Sequence, residues 1–234
     1  MREYITKILS PIFLLLLIAN SSQASFVMTL DDPTTLGIDV IIGDDMLPGS
    51  LTDSGLRVNS YDQVGALGVL SFSGNVGAFS VNVTTGVSEP VIGDGQLNLN
   101  SIQVSGATGT IIVSLTNTNF NALSNQYIAN FGGTTDGSID LNFLADSSNQ
   151  EFSGTNFFNR FINPLDTNMN AFSENYSGAI SSAATYSLSI IAEITHNSVG
   201  EVSSFSALMS PVPVPAAAWM FLMGLLTLVS FRKV

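Results

Sequence analysis

The sequence predicts an all-β protein, an antiparallel sandwich of jelly-roll or immunoglobulin-like type, and three observations point there. Apolar residues recur at every second position in short runs through the middle of the chain, the period at which the side chains of a strand share one face. Gly, Asn, Asp and Ser separate the runs, and these residues satisfy tight turns. Lys, Glu, Arg and Ala, which fill surface helices, are scarce between residues 25 and 209, where Ser, Thr, Asn and Gly abound.

The runs follow in order. Phe26-Val27-Met28-Thr29-Leu30 and Ile38-Asp39-Val40-Ile41-Ile42 flank a turn-rich segment around Asp31-Asp32-Pro33. Val69 to Ser73 and Phe79 to Val83 enclose Gly74-Asn75-Val76-Gly77, a hairpin pattern. Leu97-Asn98-Leu99-Asn100 leads into Ile102-Gln103-Val104, and Gly109 opens Ile111 to Leu115. Ile139 to Phe143 and Tyr186 to Ile190 alternate cleanly, and Phe205 to Leu208 closes the series. About ten short strands with one apolar face each make a sandwich. Asn156 to Ala171, with Phe157, Phe158, Phe161 and Ile162, breaks the alternation and reads as a short helix or a packed loop.

The two ends carry a different message. Arg2 and Lys7 precede an apolar core, Ile8 to Ile18, that peaks at Leu14-Leu15-Leu16-Leu17. Ser22-Gln23-Ala24 then places small residues where signal peptidase reads them, so residues 1–24 form a signal peptide cleaved between Ala24 and Ser25. At the other end, Pro211-Val212-Pro213-Val214-Pro215 must be extended. Ala216 to Phe231 follows without a charge. As a helix it would span about 24 Å, a short membrane crossing. Trp219 is placed for the membrane interface, and Arg232 and Lys233 make a cytoplasmic stop. This divides the chain into a leader (1–24), a sandwich (25–209) and a tail (210–234), the tail comprising a motif at 211–216, a span at 216–231 and a basic end at 232–234.

Val212-Pro213-Val214-Pro215-Ala216-Ala217-Ala218-Trp219 followed by an apolar run and Arg232-Lys233 resembles the VPLPA variant of the PEP-CTERM sorting tail. Val214 stands where the commonest form of that tail has Glu. The resemblance implies export in a Gram-negative bacterium, a transient stop in the inner membrane, and recognition there by an exosortase, a membrane cysteine transpeptidase. Delivery to the cell surface or extracellular matrix would follow. Leu30-Asp31-Asp32-Pro33 to Gly37-Ile38-Asp39-Val40 also resembles the strand-rich domains carried by many such proteins.

Composition narrows the partners. Between leader and tail only Arg57 and Arg160 are basic against seventeen carboxylates, a formal charge of −15. Such a surface repels phosphate backbones, so nucleic acid is excluded as a partner. Acidic residues keep an exported protein dispersed, and they favour cations or basic partners. With no cysteine there is no disulfide framework and no thiolate nucleophile.

Catalytic patterns are thin, and the chain reads as a non-enzyme. His196 is the only histidine, at the end of Ile190 to Thr195, and reads as half-exposed. No Gly-x-Ser-x-Gly elbow accompanies it. Asp53-Ser54-Gly55 is similar to an aspartic-protease turn, but the second turn such chemistry needs is represented only by Asp136-Gly137-Ser138, an ordinary turn. Asp31-Asp32 and Asp44-Asp45, with Asp39 and Asp62 as helpers, are the residues that could take calcium, which wants six to eight oxygens; no other cofactor is suggested. Tyr61, Tyr127, Tyr176 and Tyr186 could stack on sugars. The expectation is therefore a surface or matrix protein that coheres with polysaccharide or neighbouring proteins. A carbohydrate- or calcium-binding adhesin is the alternative, and a carboxylate-only glycoside hydrolase stands behind both.

Overall fold

The computed structural model describes residues 25–44, 62, 64, 66–89, 91–121, 125–163, 171–180 and 185–212. The leader, Asp45, Asp53-Ser54-Gly55, Arg57, Tyr61 and the tail from Pro213 to Lys233, with Val214, Pro215, Ala216, Trp219 and Arg232, lie outside the described residues.

Twelve strands are described: β1 (Phe26–Asp31), β2 (Val40–Gly43), β3 (Val69–Val76), β4 (Phe79–Val87), β5 (Leu97–Ser105), β6 (Gly109–Phe120), β7 (Gln126–Thr135), β8 (Ser138–Asp146), β9 (Thr155–Ile162), β10 (Ala171–Ala179), β11 (Tyr186–His196) and β12 (Val202–Pro211). They form two six-stranded antiparallel sheets. The first runs β2-β1-β6-β11-β8-β9 and the second β10-β7-β12-β5-β4-β3. The expected all-β sandwich is what the chain forms.

In the central strands every second residue enters the space between the sheets. Ile111, Val113 and Leu115 of β6 and Leu188, Ile190, Ala192 and Ile194 of β11 come from one side. Leu97, Leu99, Ile102 and Val104 of β5 and Phe205, Ala207 and Met209 of β12 come from the other, all buried in one core. Burial of that apolar surface, at roughly 25 cal/mol per Å², is what holds two sheets together without a disulfide. Polar links also join the sheets; in one, the hydroxyls of Tyr127 on β7 and Tyr186 on β11 are hydrogen-bonded at 2.5 Å, and both rings are wholly buried.

Four features differ from the sequence expectation. Asn156 to Ile162, read as helix or loop, belongs to strand β9. Its register against β8 shifts between Phe143 and Leu144, so Phe157 and Phe158 are both half-buried. The apolar positions 157, 158, 161 and 162 then mimic helical spacing. β7 and β10 had no counterpart among the expected runs. The hairpin turn is Gly77-Ala78, because Gly74 and Asn75 are still paired in β3. At the far end, Ser210 and Pro211 complete the ladder of β12 against β7, and the Val212 N–H donates to the Gln126 carbonyl at 2.8 Å. The sandwich therefore ends two to three residues into the segment assigned to the tail.

Candidate functional site

The residues that sequence reasoning singled out for chemistry are not brought together. Asp31 and Asp32 lie at one end of the β1–β2 pair. Asp44 lies at the other, where its N–H donates to the Phe26 carbonyl, about 17 Å away along a six-residue strand. Asp32 and Asp39 are engaged in building the turn: Asp39 Oδ2 accepts the Asp32 N–H at 2.8 Å, and Asp32 Oδ1 accepts the Thr34 N–H and hydroxyl at 3.0 and 2.7 Å. Burial, and then the nearby Asp39 and Asp32 charges, push the Asp31 carboxyl above its usual range. Asp44 Oδ2 accepts the Gly68 N–H at 2.7 Å, and Asp62 Oδ1 accepts from Val64 and Ser71. Among the described residues no group of three His, Asp or Glu side chains stands together as a metal-binding set.

His196 is not half-exposed, as its strand-end position suggested, but 1% exposed. Gly137 leaves room for its ring, since a Cβ there would stand 2.9 Å from His196 Cδ2, and the Phe79 ring lies 6.1 Å away. His196 Nε2 and Ser203 Oγ are 3.0 Å apart, and Ser203 Oγ contacts Thr135 Oγ1 at 2.8 Å. Ser203 and Thr135 are buried too, so this Ser–His pair offers no surface to a substrate and works as a polar plug. Burial holds the imidazole below its usual pKa of 6.5, against the opposing pull of Glu201, the Ala107 backbone and Asp136.

The tyrosines divide likewise. Tyr127 and Tyr186 are core residues, and burial raises the Tyr127 hydroxyl far above its ordinary range. Tyr176 is 41% exposed and stacks on Phe158 with ring centres 4.3 Å apart.

A site that sequence reasoning missed lies on the outer face of the second sheet. Its register aligns outward-facing residues of β10, β7, β12 and β5 in rows across the strands. Asn175 pairs with Asn130, Asn130 with Leu208, and Leu208 with Asn98. One step along, Ser173 pairs with Gly132 and Gly132 with Ser206, and the Ser206 hydroxyl reaches Asn100 Oδ1 at 2.8 Å. These rows line an open groove of about 390 Å³. Gly132 forms its floor, where a Cβ would stand 3.1 Å from the Phe172 carbonyl oxygen and 3.5 Å from Ser173 Cβ. At about 4.8 Å per strand the groove crosses roughly 14 Å of sheet.

Its lining sets amides and hydroxyls beside the apolar Phe131, Ala207 and Leu208. The carboxamides of Asn98, Asn130 and Asn175 have no hydrogen-bond partner among the described residues, so each offers two donors and an acceptor. The one ionised side chain on the lining, Glu174, is engaged by Arg160 at 3.1 Å from Nε and 2.7 Å from the terminal nitrogen. Period-two reading marks these asparagines only as the solvent side of a strand. What assembles them is the pairing of β10, β7, β12 and β5, strands far apart in sequence.

No family model matches the chain, and no curated protein matches it. Among solved structures, it is similar to TmCBM61 in complex with β-1,4-galactotriose (10% identity, 60% of this chain and 86% of that one, TM-score 0.34). It is also similar to the carbohydrate-binding module CBM6cm-2 from Cellvibrio mixtus lichenase 5A in complex with cellotriose (11% identity, 60% and 92%, TM-score 0.29). A third is the enzymatically active domain of bacteriophage CBA120 tailspike protein 4 (13% identity, 59% and 20%, TM-score 0.31).

Proposed function

We propose that this chain is an exported surface or matrix protein whose sandwich holds an uncharged polysaccharide in the groove over β10, β7, β12 and β5. The observation that carries the reading is the row of unengaged carboxamides, Asn175, Asn130 and Asn98, on a neutral, open floor. Amides and hydroxyls that both donate and accept match the hydroxyls of a sugar, and the acidic body disfavours anionic glycans. An open groove admits an internal stretch of a long chain, as cohesion with a matrix requires. No reaction is assigned to it. Export is read from the leader and the PEP-CTERM-like tail, which support a location outside the inner membrane after exosortase handling. The strand order supports the jelly-roll form of the sandwich, since β5 to β8 and β9 to β12 each alternate between sheets.

Affinity electrophoresis of the purified mature protein in gels containing neutral galactan, glucan or dextran, or anionic alginate, tests the reading. Retardation is expected in at least one neutral gel and not in alginate. Asn130→Ala and Asn98→Ala should each weaken it about 5- to 30-fold, the effect of one to two kcal/mol of lost hydrogen bonding. Unchanged retardation in both variants, or none in any neutral gel, would overturn it.

A further inference from the structure

Ser25 is the residue that the sequence places first after leader cleavage, and it is held on three sides. Its N–H donates to Thr118 Oγ1 at 2.8 Å, its carbonyl accepts the Thr118 N–H at 3.2 Å, and its hydroxyl donates to Glu151 Oε1. Glu151 is exposed but set in a built loop between β8 and β9. Asn119 and Asn149 bond reciprocally, the Asn119 N–H to Asn149 Oδ1 at 2.7 Å and Asn149 Nδ2 to Asn119 Oδ1 at 2.6 Å. Asp146 accepts the Ser148 and Gln150 N–H groups at 3.0 and 2.9 Å, and the Ser187 hydroxyl donates to the Gln150 carbonyl. Among the described residues the one side-chain ion pair is Arg160–Glu174, so Glu151 has no basic side chain opposite it.

We infer that Thr118 and Glu151 form a seat for the α-ammonium group that leader removal creates on Ser25. The inference rests on the export reading. Hydrolysis of the Ala24–Ser25 amide gives Ala24 a carboxylate and turns the Ser25 N–H into an ammonium with three donors. One donor keeps the Thr118 bond. The nitrogen stands within about 6 Å of the Glu151 carboxylate, because the serine Oγ that already touches this carboxylate is within about 3.5 Å of its own nitrogen. Cleavage thus adds a positive charge to a strongly acidic body beside a carboxylate that lacks a counter-ion. Cleavage one residue later would delete both contacts, and cleavage earlier would carry the charge away from Glu151.

The mature protein, recovered from cells, tests this in two separable steps. Mass analysis of its N-terminal peptide should begin at Ser25; another start overturns the processing point. The α-amino pKa, followed by NMR titration, should fall by about half a unit in Glu151→Gln and stay put in Glu201→Gln. N-acetylation keeps the Thr118 bond but removes the charge. It should lower the melting temperature of the wild type by about 1–2 °C and leave that of Glu151→Gln unchanged. Equal α-amino pKa values in wild type and Glu151→Gln, with Ser25 as the terminus, overturn the seat while leaving the export reading intact.

Discussion

Gly77 shows how much one residue can be asked to do. It opens the β3–β4 hairpin at a φ of +57°, and a Cβ on it would lie 2.0 Å from Asp32 Oδ2. Left-handed backbone and steric contact therefore demand glycine together. Gly77→Ala should destabilise the fold by about 1–3 kcal/mol, read as a lower denaturant midpoint at unchanged slope. His196 makes a pH prediction. With its folded pKa below 6.5, the unfolded chain takes up a proton first as pH falls, so stability is full above about 6.5 and declines below it until the folded pKa is passed. Asp31, with a raised folded pKa, works the opposite way at more acidic pH, above its ordinary value of 3.8. Melting temperatures between pH 7 and 5 should drop in the wild type and drop less in His196→Gln; parallel curves would show that the imidazole does not contribute.

Among the elements, β7 and β11 are joined through the core by Tyr127 and Tyr186. Tyr127→Phe and Tyr186→Phe should each cost about 1 kcal/mol. The double variant should cost measurably less than their sum, as a double-mutant cycle in urea would show. The elements also show where the sequence is readable. β1, β6, β8 and β11 carry an apolar residue at every second position through Phe26–Leu30, Ile111–Leu115, Ile139–Phe143 and Tyr186–Ile190, and period two finds them. β7 hides because Gly132 and Gly133 occupy consecutive positions; a Cβ on Gly133 would stand 2.1 Å from the Ser204 carbonyl, so close packing against β12 takes the place of an apolar side chain. β10 hides because it is an edge strand, polar on its outer face, with only Phe172 and Tyr176 to suggest a second side. The groove was illegible for the same reason: two of its four strands were, and no local pattern reports which asparagine will stand beside which. His196 was misjudged because its cover comes from Gly137 and Phe79, neither of them its neighbour in sequence.

For the whole molecule, charge and address are the governing quantities. A body with a formal charge of −15 repels itself, so the mature protein should melt several degrees higher in 0.5 M than in 0.01 M sodium chloride, where the Debye length is about 30 Å. A melting temperature independent of salt would show that the acids are spaced widely enough not to interact. Address is tested by fractionating cells that express the chain with and without residues 213–234, a cut that leaves the β12 ladder whole. The intact form is expected at the surface or in the matrix, and the shortened form in the periplasm or medium. The same distribution for both would deny the tail a sorting role.

The last strand has a mechanical consequence. β12 lies between β7 and β5, and its ladder to β7 runs to Pro211 with the Val212 N–H adding one more bond. A pull on the chain beyond Val212 enters along this strand and loads two rows of hydrogen bonds lengthwise and together. Such a load must rupture many bonds at once, whereas a force across a sheet edge would peel them one by one. A domain moored by that end, as the proposed surface role would have it, is therefore strongest against a pull along β12.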